Sequence, residues 1–499
     1  MRRFRKTFLT FVVASLFGEV AAQTSLPVFK VTDYDGGNCN NPNGTPDCTN
    51  AIRQAIIAAA ASGNAGTKVV YFPNGLYRVT SAIDLTSYGA GAKDIRLQGV
   101  NRSQSIIYIN STWTSGATYL FRFYQGEQSN EMSNLAIAYE QPDTSNRSQL
   151  TNYGAAIKLD NATRWKIENV QIMKAWTAVD CNGNCGGGAI DDLEISSFLN
   201  GIYINGALDT IKISRLHIWP FGMSQNQITA FRHHDSIGIR AQRADGLVVS
   251  NSLISSGTGI LLEKPTAPYG SKLGPNVELS NVQLDLNQRC LEIQSGHVLI
   301  TSSSLHSTFQ DMPAPTTSLH AVYYRAGLLT MTGTELSYGS WQSVFGTPNA
   351  LVYSKRNDLP ERNDPSAGSV PFGDAIFMVG CFLDTKGYDV SGIFNDAPDT
   401  GIGVYFTVQD CYFLRNPDLT YTRHTMDFTG LGRFTVLGNR SRDRGFSSGG
   451  AKFIYMPNDE WHRMIGNAAT GWSNQVPNCY PSCYGIYRYN NSPNSEPPN

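Results

Sequence analysis

Two glutamates stand at comparable places in short stretches built on one template. Glu263 closes "GILLE", and Glu292 lies inside "CLEIQ". Side chains alternate faces along a strand, so both carboxyls point outward if the apolar residues around them point in. On stacked neighbouring strands the two differ by one strand and two residues. That puts their Cα atoms on the order of 8 Å apart, from a ~4.8 Å strand spacing and a ~3.3 Å rise per residue. Inverting glycosidases hold their carboxyl groups roughly 6.5 to 9.5 Å apart, so that one protonates the leaving oxygen while the other activates a water. The related stretches "GIRAQ" and "AVYYR" bring Arg240 and Arg325 into the same outward rows. The four charges can equally do no more than pair with one another as an exposed ladder, which contributes little.

A second group of reactive side chains lies in an interruption of this pattern, "HIWPFGMSQNQITAFRHHDSIGIR", from His217 to Arg240. It carries Trp219, Phe221, Phe231, His233, His234 and Asp235. Three repeats later "HSTFQDMPAPTTSLH", His306 to His320, lengthens the same connection, whereas "SSGT" and "DLNQ" between them are short. The expectation is two walls beside a low floor that offers Asp285 and Arg289, because long loops on a rigid scaffold are where binding and catalytic groups collect. Trp219 and Phe221 present flat apolar faces on which a sugar ring can stack. His233, His234, Arg240, Arg289 and Arg325 can bond its hydroxyls or a carboxylate. Asp235 and Asp285 join Glu263 and Glu292 as candidates for acid and base, and Asp235 can instead cap the turn into Ser236.

The elements that must position these groups repeat along the chain. "WKIENVQI", "IKISRLHI", "LVVSNSLI", "VELSNVQL", "VLITSSSL", "LTMTGTEL", "IFMVGCFL" and "FTVQDCYF" share a template, and most are followed by a second stretch such as "GIYIN" or "GIRAQ". Short strands joined by Asn, Ser and Gly corners, without a helical period between them, predict a β-solenoid whose coils stack to bury a common core. Ahead of the coils, "DCTNAIRQAIIAAAASG" predicts an amphipathic helix with Ile52, Ile56 and Ile57 on one face, capped by Asp47 or Thr49 and ended at Gly63. Such a helix can cover the open end of the stack. "TKVVYFPNGLYRV" then predicts two strands about a Pro73-Asn74-Gly75 turn.

"VFKVTDYDGG", the helix and "VVYFPNGLYRV" together resemble the opening of the pectate-lyase-like superfamily, with Asp47-Cys48-Thr49 where that family often has Asp-Asp-Thr. The resemblance implies an all-β, right-handed parallel β-helix with an N-terminal capping helix. It also implies a polysaccharide substrate, and either a monomer or a homotrimer. Joined to the paired carboxylates, it predicts an endo-acting glycoside hydrolase that requires no cofactor. Two alternatives stay open: a lyase acting on a uronate-containing glycan, in which Ca²⁺ can neutralise the carboxylate, and a glycan-binding or structural solenoid without catalysis. Asp191-Asp192 is similar to the paired aspartates of polygalacturonases, but the Gly-His-Gly and Arg-x-Lys elements that accompany them are missing here.

Bulk properties agree with an exported protein. The 499 residues carry a net charge of −1, which gives no field for nucleic acid or an anionic membrane. Arg2, Arg3, Arg5 and Lys6 precede an apolar run to Phe17, and small residues end at Ala22, so residues 1–22 read as a signal peptide and the protein as secreted or periplasmic. No later run is apolar and long enough to span a bilayer. The remaining expectation is a cap and first coils over 23–100, the β-helix over 101–445, and a C-terminal cap and tail over 446–499. Cys39 with Cys48, Cys181 with Cys185, and Cys479 with Cys483 are local pairs able to staple loops. None has histidine or a second pair nearby, which argues against a zinc site. Cys381 and Cys411 occupy one template position, as a disulfide or as a ladder of buried thiols.

Overall fold

Each eight-residue template bends at its fifth residue. Asn169, Arg215, Asn251, Asn281, Ser302, Gly333, Gly380 and Asp410 hold that place, all with φ between 46° and 60°. Asn134, Asp192 and Gly438 do the same in three more coils. Asn, Asp and Gly enter the left-handed region at least cost, which explains the polar corner read in the sequence. One template is therefore two strands meeting at a corner, and a third strand completes the coil.

The computed structural model describes residues 26–35, 38–39, 46–63, 66–114, 116–126, 130–265, 274–308, 319–338, 350–355, 374–386, 390–396, 404–414, 423–430, 432–442, 453–455, 463–465, 467–470 and 487–489. The expected signal peptide, Cys479, Cys483 and most of the expected C-terminal cap lie outside these residues. Strands pair in parallel with their counterparts in adjacent coils, making three sheets. Val277, Val298, Leu329 and Ile376 follow one another in the first sheet. Leu284, Leu305, Leu336 and Leu383 do so in the second. Ile239, Ile260, Leu291, Val322, Val352 and Ile393 do so in the third. All are buried, and stacked rows of like side chains form the core of a right-handed parallel β-helix. Among the described residues no helix is long and apolar enough to cross a membrane.

The residue after each corner points inward and carries a second ladder. Ser252 Oγ accepts the backbone N–H of Leu216, and Ser303 Oγ that of Val282. Asn439 accepts that of Cys411, and Asn467 that of Asn439. A side chain from the following coil thus satisfies an N–H that the bend removes from the sheet. Cys381 and Cys411 belong to this ladder and are free thiols, so the ladder holds and the disulfide does not. Their sulfurs face carbonyls: Cys381 Sγ lies 3.6 Å from Met331 O, and Cys411 Sγ 3.3 Å from Gln409 O. The Cys39–Cys48 pairing is also corrected. Both are buried and unbonded, with the Cys48 thiol donating to the Cys39 carbonyl at 3.1 Å. Cys181 and Cys185 are bonded as expected, and Cys290 is free.

The predicted helix α1 spans Thr49–Ala61 and packs on the first coil through Ile52, Ala55, Ile56 and Ala59. Asp47 accepts the Thr49 N–H at 3.0 Å, and Gly63 turns the chain away at φ 67°. Ile57 departs from expectation, being exposed.

His320 packs against Tyr323 and Tyr353 in the third sheet, with ring centroids 5.5 and 4.6 Å away, and the two tyrosine rings stack on each other at 5.6 Å. Its Nδ1 faces the Ala350 carbonyl at 3.0 Å and its Nε2 is buried without a partner. Burial pushes the imidazole from 6.5 down to about 3. A depressed value means that the folded state refuses a proton which the unfolded chain accepts. The residue's contribution is therefore complete above 6.5 and falls by about 1.4 kcal/mol per pH unit as pH drops toward 3. Denaturant midpoints at pH 7 and pH 4 are expected to lie further apart for the wild type than for His320→Phe. Equal separations would show that the ring already accepts a proton in the fold.

Candidate functional site

The outward row of the third sheet is where the charges gather. Asp84, Arg122, Lys158, Asp180, Tyr203, Arg240, Leu261, Glu292, Tyr323 and Tyr353 follow one another in unbroken register. Leu262 pairs with Ile293, so Glu263, one residue on, stands one coil and two residues from Glu292. The diagonal offset read from the sequence is present.

A pocket of about 440 Å³ opens on this row, and Arg147, His234, Asp235, Arg240, Glu263, Arg289 and Glu292 line it. Glu263 accepts two bonds from Arg240, at 2.7 and 3.1 Å, and one from Gln242 at 2.9 Å. Glu292, only 7% exposed, accepts from Arg289 at 2.5 Å and from Gln294 at 2.8 Å. These bonds fix the position of both carboxyl groups in the pocket wall. Arg289 also lies over the Tyr323 ring, 4.3 Å from its centroid, and Arg240 over Tyr203 at 5.6 Å.

Asp235 meets these carboxylates from the interrupting loop. Its side chain is 59% exposed, with Oδ1 3.0 Å from His234 Nε2 and Oδ2 3.4 Å from His233 Nδ1. Burial, then His234 and Arg147, hold His233 below the ordinary imidazole value, which keeps it neutral near pH 7. His233, His234 and Asp235 are the one group of at least three such side chains, among the described residues, close enough to share a metal ion. Two imidazoles and one carboxylate suit zinc, nickel or copper, whereas calcium takes oxygen ligands.

Local bonds hold the loop. Helix α2, Gln225–Phe231, starts with a capping box between Ser224 and Gln227. Gln227 also donates to the carbonyls of Gln141 and Pro142 at 3.1 and 3.0 Å. Arg147 donates to Ser236 Oγ at 2.6 Å and to Ala230 O at 3.3 Å, and lies 5.8 Å from the Trp176 ring centroid. Arg147 was not legible as a site residue, since nothing near it in sequence marks it.

Several expectations are corrected by this packing. Trp219 and Phe221 turn toward the second sheet and pack on His217, with ring centroids 6.1 and 4.9 Å away, so they do not line the pocket. Asp285 is likewise on the second sheet, 3.8 Å from His306 Nδ1. Arg325 follows Gln294 along the row, one coil beyond the pocket lining. His233 stands behind His234 and is not itself in the lining. Residues 309–318 of the second wall lie outside the described residues. Asp192 is a corner residue and Asp191 pairs with Arg215, a structural use for that aspartate pair.

Gly257 is where the loop touches the coil beneath it. A Cβ there would lie 1.7 Å from the His233 carbonyl oxygen and 2.9 Å from His234 Cα. Gly257→Ala is expected to displace the His233–Asp235 turn at a cost of about 1 to 3 kcal/mol. Thermal unfolding, together with the accessibility of His234 to diethyl pyrocarbonate, checks this. Unchanged values in both would mean that the loop is not seated on Gly257.

Residues 28–261 match the family model "Rhamnogalacturonase A/epimerase, pectate lyase-like". No curated protein sequence matches the chain. Among solved structures, the tailspike protein of E. coli bacteriophage HK620, in complex with a hexasaccharide, is similar at 10% identity and a TM-score of 0.57, over 92% of this chain and 77% of that one. An N-terminal fragment of bacteriophage phi29 gene product 12 is similar at 13% identity and a TM-score of 0.54, over 95% and 75%. At these identities the likeness is one of fold. The register of the coils and these likenesses identify the protein as a right-handed parallel β-helix, and its residues 28–261 carry the pectate-lyase-like match.

Proposed function

We propose that the protein is a carbohydrate-active enzyme that binds a polysaccharide along the outward face of the third sheet and hydrolyses it in the pocket beneath the loop. The observation that carries this reading is convergence. Glu263 and Glu292 from the coils and Asp235 with His234 from the loop line one pocket of about 440 Å³, beside Arg147, Arg240 and Arg289. The HK620 tailspike, bound to a hexasaccharide, supplies a precedent for a glycan on this fold.

Hydrolysis of a glycosidic bond needs a proton for the leaving oxygen and a base for the attacking water. The carboxyl groups of Glu263 and Glu292, positioned by arginine, are the candidates for the base. Asp235 and His234, 3.0 Å apart, can share and deliver the proton from the opposite side. The bond breaks between the anomeric carbon and the leaving oxygen. Water supplies the new hydroxyl, and its proton passes to the glutamate. The guanidinium groups bond hydroxyls or acidic substituents of the chain.

Three arginines and an imidazole in one pocket also favour the second reading, elimination beside a uronate carboxylate, with His234 as base and the arginines on the carboxylate. The products separate the two. Hydrolysis is expected to release reducing ends without ultraviolet-absorbing unsaturated sugars, and elimination yields one unsaturated end per cut. Glu292→Gln and Asp235→Asn are expected to lower turnover by about 10² to 10⁴. Binding without turnover by the wild type, over a glycan panel, would remove both enzymatic readings and leave a binding solenoid.

A further inference from the structure

Upstream of the pocket the same row holds a second, tighter group of charges. Lys158 pairs in register with Asp180, and Asp180 with Tyr203. Asp160, two residues beyond Lys158, lies 3.3 Å from Lys158 Nζ and 3.5 Å from Arg122 Nη2. Asp180 and Asp160 repeat the diagonal offset of Glu292 and Glu263, but the bonding differs. Glu263 accepts three bonds and Glu292 two. Asp180 Oδ1, Asp160 Oδ1 and Arg122 Nε are buried and have no hydrogen-bond partner. Orphaned buried polar atoms cost free energy and are few in folded proteins. Three of them converging on one outward row call for an external partner. The row remains open to one, because the side chains of Arg122, Lys158 and Asp160 are each about one fifth exposed.

The balance of charge selects the partner's chemistry. An anion would meet Asp84, Asp160 and Asp180, and a cation would meet Arg122 and Lys158. A neutral ligand whose groups both donate and accept satisfies all of them, and a sugar ring is such a ligand. Tyr203 on the next coil adds an aromatic ring, with Arg240 over it.

We propose that Asp180, Asp160, Lys158 and Arg122 form a second sugar subsite, spread over the coils two to four before Arg240 with Asp180 about 10 Å from it, which holds the hydroxyls of the chain whose reacting bond occupies the pocket. The subsite rests on the reading of this face as a glycan track. Burial first, then Asp160, raise the Asp180 carboxyl to about 6 against the opposing pull of Lys158. Arg122 stands two coils before it, and Tyr203, with Arg240 and Glu263 beyond, on the following side. Below that value Asp180 donates to a sugar oxygen. Above it the carboxylate can only accept, and it repels Asp160, so the subsite weakens as pH rises.

The test is affinity electrophoresis of the full chain through gels carrying a neutral glycan, an α-1,3-glucan, a β-1,4-glucan or a galactan, at pH 5 and pH 7.5. On the gel that retards the wild type, retardation is expected to fall about fivefold at the higher pH, the worth of one hydrogen bond. Asp180→Asn, neutral at both, is expected to lose this pH dependence. Lys158→Ala is expected to bind more weakly at both, which keeps the test decisive if the first variant folds poorly. If both variants match the wild type at each pH while Glu292→Gln is impaired, the subsite falls and the glycan track stands. If no gel retards the wild type, the track falls and the subsite with it.

Discussion

Everything placed on this molecule depends on one constraint, the in-register stacking of parallel strands about 4.8 Å apart. The constraint is enforced at the corner. A left-handed residue at the same template position in eleven coils, from Asn134 to Gly438, turns the chain by a similar amount each time. Asparagines at that position also bond along the stack, Asn169 to Asn134 at 2.7 Å and Asn281 to Asn251 at 2.8 Å. Arg215 has no such excuse for its positive φ, and its coil holds the bend because the coils on either side dictate it. A slip of one residue would exchange the inward and outward rows, so core and site are protected by the same bonds.

This constraint explains what was legible. Outward and inward rows follow from a period of two, and a repeated template reveals which residues share a row. The outward rows therefore bring Arg240, Glu263 and Glu292 to one face with the right diagonal offset, and Arg289 joins them from the floor position read for it. The Cys381 and Cys411 stacking was legible for the same reason. The choice between bond and ladder was not, because it depends on where each sulfur points relative to backbone carbonyls. The aromatic loop was misread in a related way. Its residue types suggested a sugar platform, but a loop has no period to say which way a ring turns, and Trp219 and Phe221 face His217 on another sheet. Asp285 failed because a register shift between Asp285 and Asn287 separates it from the row that begins at Arg289. Asp180 was hidden by ordinariness, one aspartate in a strand ending at a disulfide.

The loop then has a different use from the one its composition suggests. Its aromatic half is an anchor, and its polar half is the delivered part. Gln227, bonded to two carbonyls of an earlier connection, and Arg147, bonded to Ala230 and Ser236, tie α2 back toward the N-terminal coils. Thr258 Oγ and Gln288 Nε2 tie the other end forward, through the carbonyls of His234 and Arg232. A segment restrained from both directions loses little entropy when a ligand arrives, which favours a fixed position for Asp235 over a mobile lid.

The two carboxyl pairs on one track differ in their surroundings. At the pocket, arginines and amides bond Glu263 and Glu292 and fix where their oxygens point. Upstream, Asp180 has lost water without gaining a donor, and its carboxyl is raised to about 6. Identical offsets on identical strands thus meet different surroundings, because the outward neighbour is an arginine in one case and a lysine already shared with Asp160 in the other. A solenoid makes such differences easy to vary, since replacing one outward residue alters the chemistry at one coil and leaves the buried rows intact.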